Sequence, residues 1–133
     1  MRLIYGMGRL LLGGYFLYNG FNHLTHVDAL EGYAAAKNTP SPRFDVEASG
    51  VLMLASGASL AFGIKPALGA LGVIGFLAAA TPMMHDFWTQ SDPEKKQTEQ
   101  IHFSKNVALL GASIALLGAE FSSQDREDDR LAA

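Results

Sequence analysis

Cysteine is absent from this chain of 133 residues. Without a thiol it has no disulfide framework, no thiolate metal site and no cysteine nucleophile, and the redox state of its compartment goes unmarked. Charge is scarce as well: 17% of residues are Asp, Glu, Lys or Arg, and 10 basic side chains are outnumbered by 13 acidic ones. That balance leaves no cationic surplus to neutralise a phosphate backbone, which excludes nucleic acid as a partner. The length allows one domain. A mean hydropathy of +0.15 resembles that of an ordinary soluble domain, because the average hides where the charges lie.

Four stretches are almost free of charge: residues 3–22, interrupted only by Arg9, then 48–64, 66–84 and 106–119. About 20 helical residues at 1.5 Å rise cross a hydrocarbon layer of ~30 Å. None of the four carries the polar stripe that a water-facing helix needs, and in residues 66–84 the single polar side chain is Thr81. The pattern predicts an all-α protein, a four-helix transmembrane bundle in a membrane domain spanning residues 1–121. Its helices are expected at about residues 3–22, 47–64, 66–85 and 104–121, followed by a flexible charged tail over 122–133. The first apolar run has no small-x-small cleavage site after it and reads as an uncleaved helix. A polar loop is expected from His23 to Glu47, a tight hairpin at Lys65-Pro66, and a second polar loop from His85 to Lys105 around Ser91-Asp92-Pro93.

Glycine is concentrated in the apolar runs. Gly6, Gly13 and Gly20 recur at seven-residue spacing, as do Gly50 with Gly57 and Gly111 with Gly118. In lipid, where burial of apolar surface no longer drives helices together, such spacing predicts faces for close backbone approach.

An even number of spans puts both termini on one side and both polar loops on the other. All four histidines then share a face, with His23 and His26 after the first helix, His85 after the third and His102 before the fourth. Glu47 enters the second helix on that face, Trp88 follows His85, and Lys105-Asn106 opens the fourth helix. The expected site is a polar pocket at the membrane boundary, built from His23, Glu47, His85, Trp88, Lys105 and Asn106. It is suited to proton movement or to hydrogen-bonding the carbonyls of a quinone. No metal is expected, since His23-x-x-His26 lacks a fixed third ligand. Arg9 is an intramembrane charge on the glycine-bearing face of the first helix, and Glu120, closing the fourth helix on the same side, is its expected partner.

Several runs in order resemble the DoxX family of small bacterial inner-membrane proteins. They are Gly8-Arg9-Leu10-Leu11-Leu12-Gly13, Asn19-Gly20-Phe21, Glu47-x-x-Gly50, His85-Asp86-Phe87-Trp88 and Lys105-Asn106-Val107-Ala108-Leu109-Leu110-Gly111. The resemblance runs from Met1 to about Glu120 and implies a multi-pass protein of the bacterial inner membrane with cytoplasmic termini. It implies a role as a non-catalytic membrane subunit or scaffold in redox or sulfur metabolism, with the lipid bilayer, a redox-protein partner or further copies of itself as neighbours. Relatives include a subunit of a thiosulfate:quinone oxidoreductase, so the alternative is a quinone-interacting oxidoreductase component using the His/Glu/Trp face. Arg9, Glu47, His85, Trp88, Lys105 and Asn106 match the family's recurrent polar positions. Without cysteine, the chain cannot itself carry out dithiol chemistry. Small-molecule transport has less support, because no helix is visibly broken in mid-membrane.

Overall fold

The computed structural model describes residues 2–131, with the side chains of residue 2 and residues 124–130 outside the description. It is all-α, with α1 (Arg2–Thr25), α2 (Val27–Ala36), α3 (Pro42–Phe62), α4 (Pro66–Met84) and α5 (Pro93–Leu131). A short 3-10 helix, Phe87–Thr89, links α4 to α5.

Two of these features differ from the sequence expectation. The segment read as a polar loop contains α2, because Val27–Ala36 is rich in alanine and sets Leu30, Tyr33 and Ala34 on one side at i, i+3 and i+4. Ala34 on that side is buried, and Asp28 occupies the favourable acidic position in the first turn. The second polar loop is likewise short, since α5 starts at Pro93. Asp92 accepts a hydrogen bond from the Glu94 amide at 2.9 Å, and proline at the first helical position needs no amide partner. The helical backbone of α5 runs to Leu131, into the segment expected as a charged tail, whose side chains over 124–130 lie outside the described residues.

The α3–α4 hairpin forms where the sequence places it. Gly63 (φ 72°) and Lys65 (φ 50°) are both left-handed, and Pro66 begins the next helix. Ser59 Oγ lies 2.8 Å from the Ile64 carbonyl oxygen and 3.0 Å from that of Lys65, tying the turn down.

α1 packs antiparallel along α3, α3 against α4, and α4 against α5, with α1 and α5 meeting only slightly. The shared core is Leu12 and Phe16 of α1, Met53 and Leu60 of α3, and Ala70, Val73 and Leu77 of α4. Leu109, Leu110, Leu116 and Leu117 of α5 flank it. Glycine sets the α1–α3 spacing. A Cβ on Gly13 would stand 2.5 Å from the Ala61 nitrogen, one on Gly20 2.6 Å from the Leu54 nitrogen, and one on Gly57 2.6 Å from the Leu17 nitrogen. Gly6, Gly111 and Gly118 meet nothing within 4 Å, so the seven-residue spacing marks a contact only in part. Gly6 lies beyond the level at which α3 ends, since Arg9 already rests on Gly63, and α5 presents its leucines to the core.

The outer surface is strongly apolar. Leu3, Ile4, Leu11, Tyr18, Phe62 and Ile64 are all exposed, an arrangement that water disfavours and lipid accepts. Two helical stretches, Pro66–Thr89 and Pro93–Ser123, are long and apolar enough to cross a membrane. Only 28% and 11% of their most apolar windows are buried, unlike the core helices of a soluble fold.

Candidate functional site

α1 and α4 end at the same end of the bundle at which α3 and α5 begin, and α2 lies across that end. Between them is a cavity of about 580 Å³, within the range that encloses drug-sized ligands. Its body is apolar, with Phe16, Leu52, Met53, Phe76, Leu77 and Met83 in the wall, and α2 with its following turn contributes Leu30, Tyr33, Ala34, Thr39 and Pro40. The apolar wall follows from packing: the core side chains of α1, α3 and α4 continue upward until the helices diverge and α2 closes over them.

Of the six residues expected to form the site, His23, His85, Lys105 and Asn106 line this cavity. His23 Nδ1 lies 3.0 Å from Ser49 Oγ, and Ser49 donates its single proton to the Val46 carbonyl at 3.0 Å. His23 Nδ1 and Ser49 Oγ thus share a hydrogen bond, and among the described residues Nε2 is left unengaged. His85 is fixed in the same way, with Nδ1 2.8 Å from Glu99 Oε2 and its ring stacked on His102 at 5.2 Å. Among the described residues, Lys105 and Asn106 have no side-chain hydrogen-bond partner, and the buried Thr39 hydroxyl of the same wall has none either.

Glu47 and Trp88 stand at the same end of the bundle but outside the cavity wall. Glu47 joins a surface network centred on Arg43, whose Nε is 3.3 Å away and whose Nη1 reaches Asp28 at 3.0 Å and Glu31 at 3.2 Å. This network fastens α2 to the start of α3. Trp88 is 54% exposed and packs edge-on with Phe87 and Phe103 beside the 3-10 helix.

Arg9 is at the opposite end. Its guanidinium lies over the Tyr5 ring, 5.8 Å from the centroid, and against the α carbon of Gly63. Glu120 accepts a hydrogen bond from the Tyr5 hydroxyl, so Tyr5 stands between the two charges expected to pair. Arg9 Nε is buried without a partner among the described residues.

Polar contacts absent from the sequence expectation form a latch at the cavity rim. Lys37, which caps the C-terminus of α2, reaches Asp86 Oδ1 at 2.5 Å and Glu99 Oε1 at 3.4 Å. Glu99 thus holds Lys37 with one oxygen and His85 with the other. Tyr33 adds a hydrogen bond to the Met84 carbonyl at 3.4 Å. Burial disfavours the Lys37 charge, but the hydrogen bond to Asp86 and the field of Glu99 overcome it and hold the ammonium above the usual lysine range. Burial, followed by the negative field of Glu99, pushes the Tyr33 phenol up as well. The available signals were the alanine-rich run that makes Lys37 a helix end and the i, i+3 pair Glu99-x-x-His102. Among the described residues, no three His, Asp or Glu side chains are placed to hold a metal ion.

No curated protein and no solved structure matches the chain. The model of one protein family, DoxX, matches residues 5–86, from the second turn of α1 through the Asp86 of the latch. The match is shorter than the resemblance read from the sequence and leaves Trp88, Lys105 and Asn106 beyond it. Covering α1 to α4 and more than half of the chain, it makes this protein a member of the DoxX family.

Proposed function

We propose that this DoxX-family membrane protein is a four-helix transmembrane bundle of the bacterial inner membrane that binds a lipid-soluble amphiphile in the cavity beneath α2. In this reading α1, α3, α4 and α5 span the bilayer, the termini face the cytoplasm and the cavity lies at the opposite face. The observation that carries the proposal is the cavity itself, about 580 Å³ with an apolar body and with Thr39, Lys105 and Asn106 in its wall, whose side chains have no hydrogen-bond partner among the described residues. Such a wall accepts a chain of methylenes or isoprenoid units and leaves donors for one acceptor-bearing head. Quinones are the redox-active molecules of that description, and His85, oriented by Glu99, is the ring that would meet one.

The test is thermal unfolding of the purified protein in mild detergent with decylubiquinone and with long-chain acyl probes. Saturable stabilisation by at least one of them, abolished when Ala80→Phe fills the cavity, is the expected result. No stabilisation by any lipid-soluble probe refutes the reading.

A second reading, a membrane subunit that anchors redox or sulfur-metabolism proteins, draws support from α5. Its apolar span is only 11% buried and offers an outer face along the bundle. Purification in mild detergent that returns a stoichiometric protein partner supports this reading. A homogeneous species with nothing attached counts against it.

A further inference from the structure

The polar groups of the cavity wall divide into those already engaged and those that are free. Asn19 donates to the Tyr15 carbonyl at 2.7 Å and Tyr33 to the Met84 carbonyl, while His23 and His85 are engaged through Nδ1 by Ser49 and Glu99. Asp45, the acid in the wall, accepts the Ser41 amide at 3.0 Å, where the start of α3 stabilises its charge. Among the described residues, the wall's unengaged donors are the Lys105 ammonium, the adjacent Asn106 amide, the Tyr15 hydroxyl and the buried Thr39 hydroxyl, and the ammonium is the one that carries a charge. Lys105 is the lysine of the wall and, among the described residues, has no carboxylate within salt-bridge distance. The acids of the latch, Asp86 and Glu99, are held by Lys37 and His85.

We infer that the occupant of this cavity is a single-chain acyl carboxylate, its head held by Lys105 and Asn106 and its chain lying along Phe16, Leu52, Met53 and Phe76. The inference rests on the proposed ligand-binding reading and narrows it. A neutral carbonyl satisfies donors but does not pair with the charge of the ammonium, which stands exposed at the rim. A carboxylate satisfies both, and charge-assisted hydrogen bonds are roughly twice as strong as neutral ones. The cavity volume suits one chain rather than the two of a diacyl lipid.

Binding of tritiated palmitate to the full chain in dodecylmaltoside at mildly alkaline pH tests this, with palmitate, hexadecanol and decylubiquinone as unlabelled competitors. Saturable palmitate binding is expected, with hexadecanol and decylubiquinone competing about tenfold less well or worse. Lys105→Gln should raise the Kd for palmitate by about tenfold, about 1.4 kcal/mol, and Lys105→Arg should restore most of the affinity. Lys105 is exposed, so the Gln variant keeps the fold, which its elution volume and melting temperature verify. Equal competition by hexadecanol, or an unchanged Kd in Lys105→Gln, overturns the inference. Binding of decylubiquinone without palmitate overturns it while leaving the ligand-binding reading intact. Binding of no probe defeats both.

Discussion

Gly13 and Gly14 are neighbours in α1 whose substitution by alanine should move stability in opposite directions. Gly13 faces α3, where an added Cβ would stand 2.5 Å from the Ala61 nitrogen and 2.7 Å from the Gly57 oxygen, both backbone atoms that no rotamer change can move aside. Restoring an ordinary contact of ~3.5 Å requires the helices to part by about 1 Å, and a gap of that size forfeits a quarter to a half of each dispersion contact across it. The contacts at risk include Leu12 and Phe16 against Met53 and Leu60, the centre of the core. Gly13→Ala should therefore cost about 1–3 kcal/mol, the usual range for overpacking. Gly14 has nothing within 4 Å of the same construction, so alanine there only relieves the helix of glycine and should gain up to about 1 kcal/mol. The assay is thermal loss of helical circular dichroism in one detergent at one protein concentration. If the two variants shift in the same direction, or Gly13→Ala melts with the parent protein, the close approach of α1 and α3 does not hold the bundle together.

Gly63→Ala should destabilise by more than the ~1–2 kcal/mol cost of a left-handed non-glycine residue. It sits at φ 72°, and its new methyl would stand 2.6 Å from an Arg9 nitrogen, which Gly63→Ala combined with Arg9→Ala should partly relieve in the same melt. Lys37→Met leaves Asp86 and Glu99 without their cation. With the Lys37 side chain 13% exposed, the cost should fall between that of surface and buried pairs, about 1–3 kcal/mol. The same variant should free α2 from α4 and α5, and a cysteine placed at Ser49 in this cysteine-free chain should then react faster with a maleimide than it does beside an intact Lys37. An unchanged labelling rate would show that the Lys37 ion pairs do not hold α2 over the cavity. Because the Lys37 pKa is raised in the folded protein, its contribution is complete below the unfolded value of about 10.5 and is lost as pH rises through the folded value. The melting-temperature gap between wild type and Lys37→Met should accordingly stay level from about pH 7 to 9 and close only in strong alkali.

Much of the fold was legible from where charges are missing. The four apolar runs became the bodies of α1, α3, α4 and α5, and Lys65-Pro66 became the hairpin because a residue before proline resists helix and proline favours a helix start. Uncharged runs do not mark helices that carry charge, such as α2, whose Asp28 and Glu31 accompany an alanine-rich face, and the first turns of α5, where Glu94, Lys95 and Lys96 precede the apolar span. Asp92-Pro93 is a helix start signal, with Asp92 accepting the Glu94 amide and proline at the first helical position. The seven-residue glycine spacing identified a face of each helix but not what lies opposite it, which is why Gly13 and Gly20 meet α3 while Gly6 and Gly111 meet nothing.

The site divides along the same line. Helix parity fixes how far along the bundle axis a residue sits, and that was enough to bring His23, His85, Lys105 and Asn106 to one end. Parity says nothing about direction around the axis, and there the six expected residues part: Glu47 turns to Arg43 on the surface and Trp88 to Phe87 and Phe103. The contacts that close the cavity depend on a helix the sequence reading did not contain. Lys37 meets Glu99 only because α2 carries it across the mouth, so the latch could not be inferred before α2 was known. For the same reason, a variant that melts α2 while sparing α1 and α3 to α5 should lose the proposed ligand binding and keep the bundle. Glu31→Pro within α2 provides it, because proline in a helix interior costs about 3 kcal/mol and this helix is only 10 residues long. Cooperative unfolding near the parent temperature together with lost probe binding is the expected outcome. Retained binding would mean that α2 is no part of the site.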